Sequence, residues 1–187
     1  MPTVSTAGAR PRRHHVFAKR EAELRAAGCS VLGRGDFACV LAWPDGRRVT
    51  KLVMADDRPF LAFLELIRTT SSPHWPVVHD ERAHPEFHEI AMERLMPLGD
   101  SALALAIEQH VLRLLDQKGA LDRETAAQLP DDPSTIARFR RDHASLADAA
   151  DLLVRHLYLE GAAVDLQDQN IMRRGPDPVF VDPAAWG

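Results

Sequence analysis

Apolar residues come in short alternating runs through the first half of the chain and recur at helical spacing through the second. Residues 16–27 predict a short helix with Glu and Lys on its wet face and Gly28 at its end. Strand runs at Ser30–Gly33 and Cys39–Trp43 flank a glycine-rich turn, and Pro44-Asp45-Gly46 predicts a hairpin into a third strand, Arg48–Met54. Asp56-Asp57-Arg58-Pro59 suits a helix's first turn, and Phe60, Leu61, Leu64 and Ile67 form its apolar stripe. Val77–Asp80 and Phe87–Leu95 predict two more strands. After Ser101, Leu103, Ile107, Val111, Leu114 and Leu115 recur at helical spacing as far as Gly119. Asp131-Asp132-Pro133-Ser134 opens another helical stretch. Leu146, Ala150, Leu153 and Leu157 continue the stripe to Gly161, and two short strands bracket Arg174-Gly175-Pro176. The expected fold class is α+β, with five antiparallel strands and one helix ahead of a mostly helical half and a boundary near Met96–Asp100.

A chain of 187 residues holds one domain or two small lobes, and 45% hydrophobic residues suffice for a core. A net charge of −4 gives no overall attraction to nucleic acid or membrane, so neither is an expected partner. No apolar run reaches the roughly 18 residues of a membrane helix. The N-terminus lacks the hydrophobic stretch of a signal peptide, and Cys29 and Cys39 read as reduced thiols, so a cytoplasmic setting is expected. Residues 1–15, with Arg10, Arg12, Arg13, His14 and His15, read as a flexible solvated tail. The nine histidines show no helical i, i+4 pair with a carboxylate partner, so no zinc site is expected.

Four stretches carry candidate chemistry. Gly33-x-Gly35-x-Phe37-Ala38-x-Val40 offers backbone N–H groups without side-chain obstruction, as a phosphate requires. Lys51 stands mid-strand among Val49, Leu52 and Val53, where a lysine needs a reason to face inward. Asp165-Leu-Gln-Asp-Gln-Asn170 places an Asp where it can orient a hydroxyl proton and, five residues on, an Asn whose amide oxygen can ligate Mg²⁺. Val179-Phe180-Val181 then delivers a second carboxylate, Asp182.

In this order and at these intervals the motifs resemble the protein-kinase-like superfamily, most closely its small bacterial and bacteriophage members, over roughly residues 30–187. The resemblance implies a minimal bilobal fold: residues 16–96 as an N-lobe with the glycine-rich loop, and 97–187 as a truncated C-lobe. It implies ATP and Mg²⁺ as cofactors. Gly33, Gly35, Phe37, Val40 and Val49 would line the nucleotide. Lys51 would hold the phosphates and pair with Glu65, though Asp56, Asp57 and Glu81 compete for it. Met92 would stand beside the adenine, or simply be a core methionine; the Glu93 carbonyl and Leu95 amide would read the adenine edge, and Met172 would lie beneath it. Asp165 would be the catalytic carboxylate, with Asn170 and Asp182 on the metal. Asp100 is either a ribose contact or the cap of the next helix, and Asp168 reads as a solvated loop residue.

The departures from the family pattern are specific. Ala38 replaces a third glycine. Ala163-Val164 stands where His-Arg or His-Gly usually precedes the catalytic Asp, which removes a brace for the loop carrying Asp182. Gln167 replaces a basic residue, and neither an activation segment nor later helices are expected after Asp182. Any acceptor site must therefore be shaped by residues 101–160 or shared with a second subunit. Three functions stay open: a kinase acting on protein Ser/Thr hydroxyls, a catalytically weak pseudokinase serving as a nucleotide-binding interaction module, and a small-molecule phosphotransferase. The third would need acid from Asp116, Asp122, Glu124, Asp131 and Asp132, all on expected outer faces.

Overall fold

The computed structural model describes residues 14–121, 123–129, 133–167 and 170–186. Most of the basic tail, Asp122, Asp131, Asp132 and Asp168 lie outside them. The chain forms two compact units, one of residues 14–57 and 78–94, the other of residues 58–77 and 95–186.

In the first unit a short 3₁₀ turn (His14–Phe17) leads into α1 (Ala18–Ala26). Gly28, at φ +92°, closes the helix, with the Cys29 N–H returning to the Leu24 carbonyl. Strands β1 (Ser30–Arg34), β2 (Ala38–Ala42), β3 (Arg48–Met54), β4 (Val78–Ala83) and β5 (Phe87–Glu93) form an antiparallel sheet in the order β1-β2-β3-β5-β4. β3 is the central strand and is buried continuously from Val49 to Met54, which is why its sequence is apolar on both faces rather than alternating. Val40, Lys51 and Ile90 lie side by side across the sheet, as do Val49 and Met92. Cys39, Leu41, Leu52 and Met54 point to the other face and close a core with Phe17, Leu24 and Cys29.

The wet face expected for α1 is only partly wet. Glu21 is buried and pairs with Arg34 of the glycine-rich hairpin. Arg20 grips Glu89 of β5 through two bonds, Nε to Oε2 at 2.7 Å and Nη2 to Oε1 at 2.8 Å. A helix packed on a sheet can carry charge inward where a cation or carboxylate meets it in such geometry.

The second unit holds α2 (Arg58–Thr69), β6 (Met96–Pro97), α3 (Ser101–Gln117), α4 (Arg123–Ala127), α5 (Pro133–Asp142), α6 (Ala144–Leu159), β7 (Ala162–Val164), β8 (Ile171–Arg174), β9 (Asp177–Phe180) and β10 (Ala184–Trp186). α2 was expected to belong with the five strands; it packs instead on α6, β7 and β10. Its buried Phe60, Phe63, Leu64 and Leu66 explain the choice, since Phe63 lies edge-on to Trp75 and Trp75 in turn meets Phe180. α6 is the central helix, with Leu146, Ala150, Leu153 and Leu157 buried against α2, α3 and α5. β6, β8 and β9 make one small sheet; β7 pairs with β10, an unexpected strand after Asp182. The architecture is α+β, and among the described residues no helix is long and apolar enough to cross a membrane.

Candidate functional site

The register of the first unit's sheet sorts the candidates by face. Strand alternation puts Val40, Val49, Lys51 and Met92 on one side, opposite the α1 core. Lys51 is 3% exposed and Met92 6%. An ammonium so enclosed is held only where polar partners meet it, and Lys51 has such an interaction within the protein. Phe37 was expected on the same side. It packs instead against the α1 core, two residues ahead of Cys39 and in phase with it. Its carbonyl accepts from the Met54 N–H at 2.9 Å. The ring follows the apolar face, where it buries more surface.

Gly33 and Gly35 are exposed. Neither has a positive φ, and a Cβ built on either would meet nothing within 4 Å. Neither backbone conformation nor packing requires glycine there. What glycine leaves is bare backbone open to an approaching group. The Gly35 N–H closes the hairpin onto the Ala38 carbonyl at 3.0 Å, and Arg34 between the two glycines is anchored by Glu21.

In the second unit, backbone bonds knit the three oxygen-bearing candidates together. The Asp165 N–H donates to the Pro183 carbonyl at 2.9 Å, and the Val181 N–H to the Asn170 carbonyl at 2.9 Å. Asp182 therefore sits between two residues tied to the Asp165 and Asn170 loop. Asn170 is buried, and its Nδ2 donates to the Asp165 carbonyl at 3.2 Å, which turns its Oδ1 away from that carbonyl. The Gln167 N–H reaches Asp165 Oδ1 at 3.3 Å. Two carboxylates and an amide oxygen are hard donors suited to Mg²⁺, which takes one or two carboxylates and completes its shell with phosphate and water. Among the described residues no group of three or more His, Cys, Asp or Glu side chains gathers as a metal set.

One residue of this region went unnoticed in the sequence. His74, 4% exposed, lies in the turn after α2. Its Nδ1 is 2.7 Å from the Pro178 carbonyl and its Nε2 3.0 Å from Ser145 Oγ. A carbonyl only accepts, so Nδ1 carries the proton and the Ser145 hydroxyl donates to Nε2 of the neutral ring. The His74 carbonyl accepts the Phe180 N–H at 3.0 Å, and Arg174 donates to the Pro73 and Trp75 carbonyls at 2.8 and 2.9 Å. β9, which leads to Asp182, is thus fastened to this turn from both sides of its ladder. The only local hint was a histidine enclosed by Pro73, Trp75 and Pro76.

The remaining candidates are placed as follows. Glu65, expected to face Lys51, is exposed and pairs with Arg68 at 3.1 Å on the wet side of α2, because the inward positions are taken by Phe63, Leu64 and Leu66. Asp100 caps α3, its Oδ1 accepting from the Leu103 N–H at 3.0 Å. Glu93 ends β5 opposite Arg48, Leu95 is buried, and Met172 lies in β8 between Pro97 and Val179. No protein-family model matches the chain, and no curated protein is similar enough to count as a relative.

Proposed function

We propose that the chain is a minimal protein-kinase-like phosphotransferase that moves the γ-phosphoryl group of Mg²⁺·ATP to a protein Ser or Thr hydroxyl. The observation that carries this reading is the knot of Asp165, Asn170 and Asp182, three oxygen donors on neighbouring stretches tied together by backbone bonds. The one-sided row of Val40, Val49, Lys51 and Met92, and the glycines that the fold does not need, support it independently.

Phosphoryl transfer asks for positioning and charge stabilisation more than covalent help. Val40, Val49 and Met92 give the adenine an apolar surface, the bare backbone near Gly33 and Gly35 admits the phosphates, and Lys51 offsets their charge. Asn170 Oδ1 and the Asp182 carboxylate would hold Mg²⁺, which when bound would neutralise part of the phosphates' charge. Asp165 orients the acceptor hydroxyl and takes its proton as the oxygen bonds to the γ-phosphorus. The bond from that phosphorus to the β–γ bridging oxygen breaks, and ADP leaves. Cys29 and Cys39 are free and buried, with burial pushing both thiols up, which suits a reducing cytoplasm.

A second reading, a nucleotide-binding pseudokinase, is favoured by the outward Glu65 and its bond to Arg68. Labelled ATP decides between them. Transfer to protein that is lost in Asp165→Ala, with Mg²⁺·ATP binding retained, supports the enzyme. Binding without transfer leaves the pseudokinase, and no binding at all removes both.

A further inference from the structure

Beside Asp165 runs a groove of about 370 Å³ within the second unit. One wall is a single face of α3, where Glu108, Val111, Leu112 and Leu115 follow one another at i, i+3, i+4 and i+7; the other is Val164 to Gln167. The charged residues lining it, among those described, are Glu108 and Asp165. Resting on the phosphotransferase reading above, we infer that this groove binds the acceptor as an extended peptide segment. Its hydroxyl lies at Asp165, an apolar side chain next to it packs on Leu112 and Leu115, and no acidic residue is nearby.

The argument starts from charge. Two carboxylates without a lining cation repel phosphate, so the groove is not where a nucleotide lies, although it holds the residue assigned to the acceptor hydroxyl. Its chemistry then narrows the acceptor. A sugar or other polyhydroxyl compound would leave its hydroxyls unpaired against Val111, Leu112, Leu115, Val164 and Leu166. Its length suits a chain: seven residues of helix run roughly 10 Å. An extended strand advances about 3.3 Å per residue, so some three residues fit along that wall. Ser or Thr at Asp165 thus leaves room for one or two neighbours, and the wall selects Leu, Val or Met over Asp or Glu.

The test is an arrayed peptide library with a single Ser or Thr acceptor, run on the full chain with labelled Mg²⁺·ATP beside Asp165→Ala as the blank. Peptides with Leu or Met adjacent to the acceptor should exceed those with Asp or Glu by about tenfold in kcat/KM, the worth of one buried apolar side chain. Leu112→Lys should raise KM for the best peptide by a similar factor with KM for ATP unchanged, and Glu108→Lys, at an exposed position, should admit acidic neighbours. Asp165-dependent transfer with no apolar preference, or with peptide KM indifferent to both variants, overturns the groove assignment and leaves the phosphotransferase standing. Transfer only into a small dialysable product also overturns it. A wild-type chain that binds no Mg²⁺·ATP overturns both.

Discussion

Gly33 and Gly35 give the sharpest test, because stability and ligand binding should respond in opposite directions. Outside the left-handed region, and with nothing within 4 Å of the built Cβ, alanine fits both positions without strain. Such a Gly→Ala change stabilises by about 0.4–1 kcal/mol, by narrowing the unfolded ensemble. For a chain of this size each kcal/mol moves Tm by roughly 2–4 °C, so each substitution should raise it by about 1–4 °C. Nucleotide binding should weaken. The Gly35 N–H is already bonded to Ala38, so a methyl group there acts by keeping a phosphate from neighbouring N–H groups, and losing one hydrogen bond to a charged group costs about 1.5–3 kcal/mol, roughly 10- to 150-fold in Kd. Thermal denaturation without ligand and calorimetric titration with Mg²⁺·ATP measure the two effects on the same protein. A raised Tm with unchanged Kd would mean that no phosphate meets this hairpin. A lowered Tm would mean that the glycines serve the fold after all.

Substitutions at three further residues test single contacts. Asp100→Ala should cost about 0.5–2 kcal/mol through the lost α3 cap, measured by chemical denaturation, and leave ATP affinity alone; a fall in affinity would restore the ribose role. Arg20 holds the Glu89 carboxyl below the usual glutamate range. The folded pKa therefore lies under the unfolded value of about 4.3, so the stabilisation is present above that pH and is lost as pH falls through the folded pKa. Glu89→Gln should cost about 1.5–3 kcal/mol at pH 7, with the gap to wild type closing in acid; a pH-independent gap would refute the pairing. His74→Ala should raise the Mg²⁺ concentration needed for ATP binding, and His74→Asn, which can keep a donor to Pro178, should restore it; a lower Tm with unchanged Mg²⁺ dependence would make His74 structural only.

The sequence revealed what is local. Alternation and the turn residues at Pro44-Asp45-Gly46 were enough for the strands, because hairpin register follows from nearest neighbours. The β2–β3 hairpin then carried Val40, Val49 and Lys51 to one face, whereas Met92 joins them only because β5 rather than β4 pairs with β3. What was hidden depends on distant contacts. Glu21 reads as an exposed helix residue until Arg34 meets it, and Phe37 reads as part of a phosphate loop until the α1 core draws its ring in. The amphipathic stripe of α2 says that one side is buried, not against what, so Glu65 could be assigned inward when Phe63, Leu64 and Leu66 already filled that side. The three residues of β10 are too few for a periodic signal and exist because β7 offers them an edge.

The same distinction changes the weight of one departure from the kinase pattern. The residues before Asp165 are Ala163 and Val164, so no histidine there can steady the strand that leads to Asp182. Steadying a backbone needs a donor and an acceptor at the right place in space, and their position in the chain is immaterial. His74 meets that need from the turn after α2, donating to Pro178 and accepting from Phe180, with Ser145 fixing its ring. The argument that Asp182 is poorly held therefore loses its force. Two side chains in the candidate site still weigh against fast catalysis, Gln167 where a cation would help the transferring phosphoryl group and Glu65 where it bonds Arg68. On the phosphotransferase reading proposed above, both would bear on the rate of transfer and not on the holding of nucleotide or metal. A catalytic defect in this chain should appear in kcat, with Mg²⁺·ATP affinity intact.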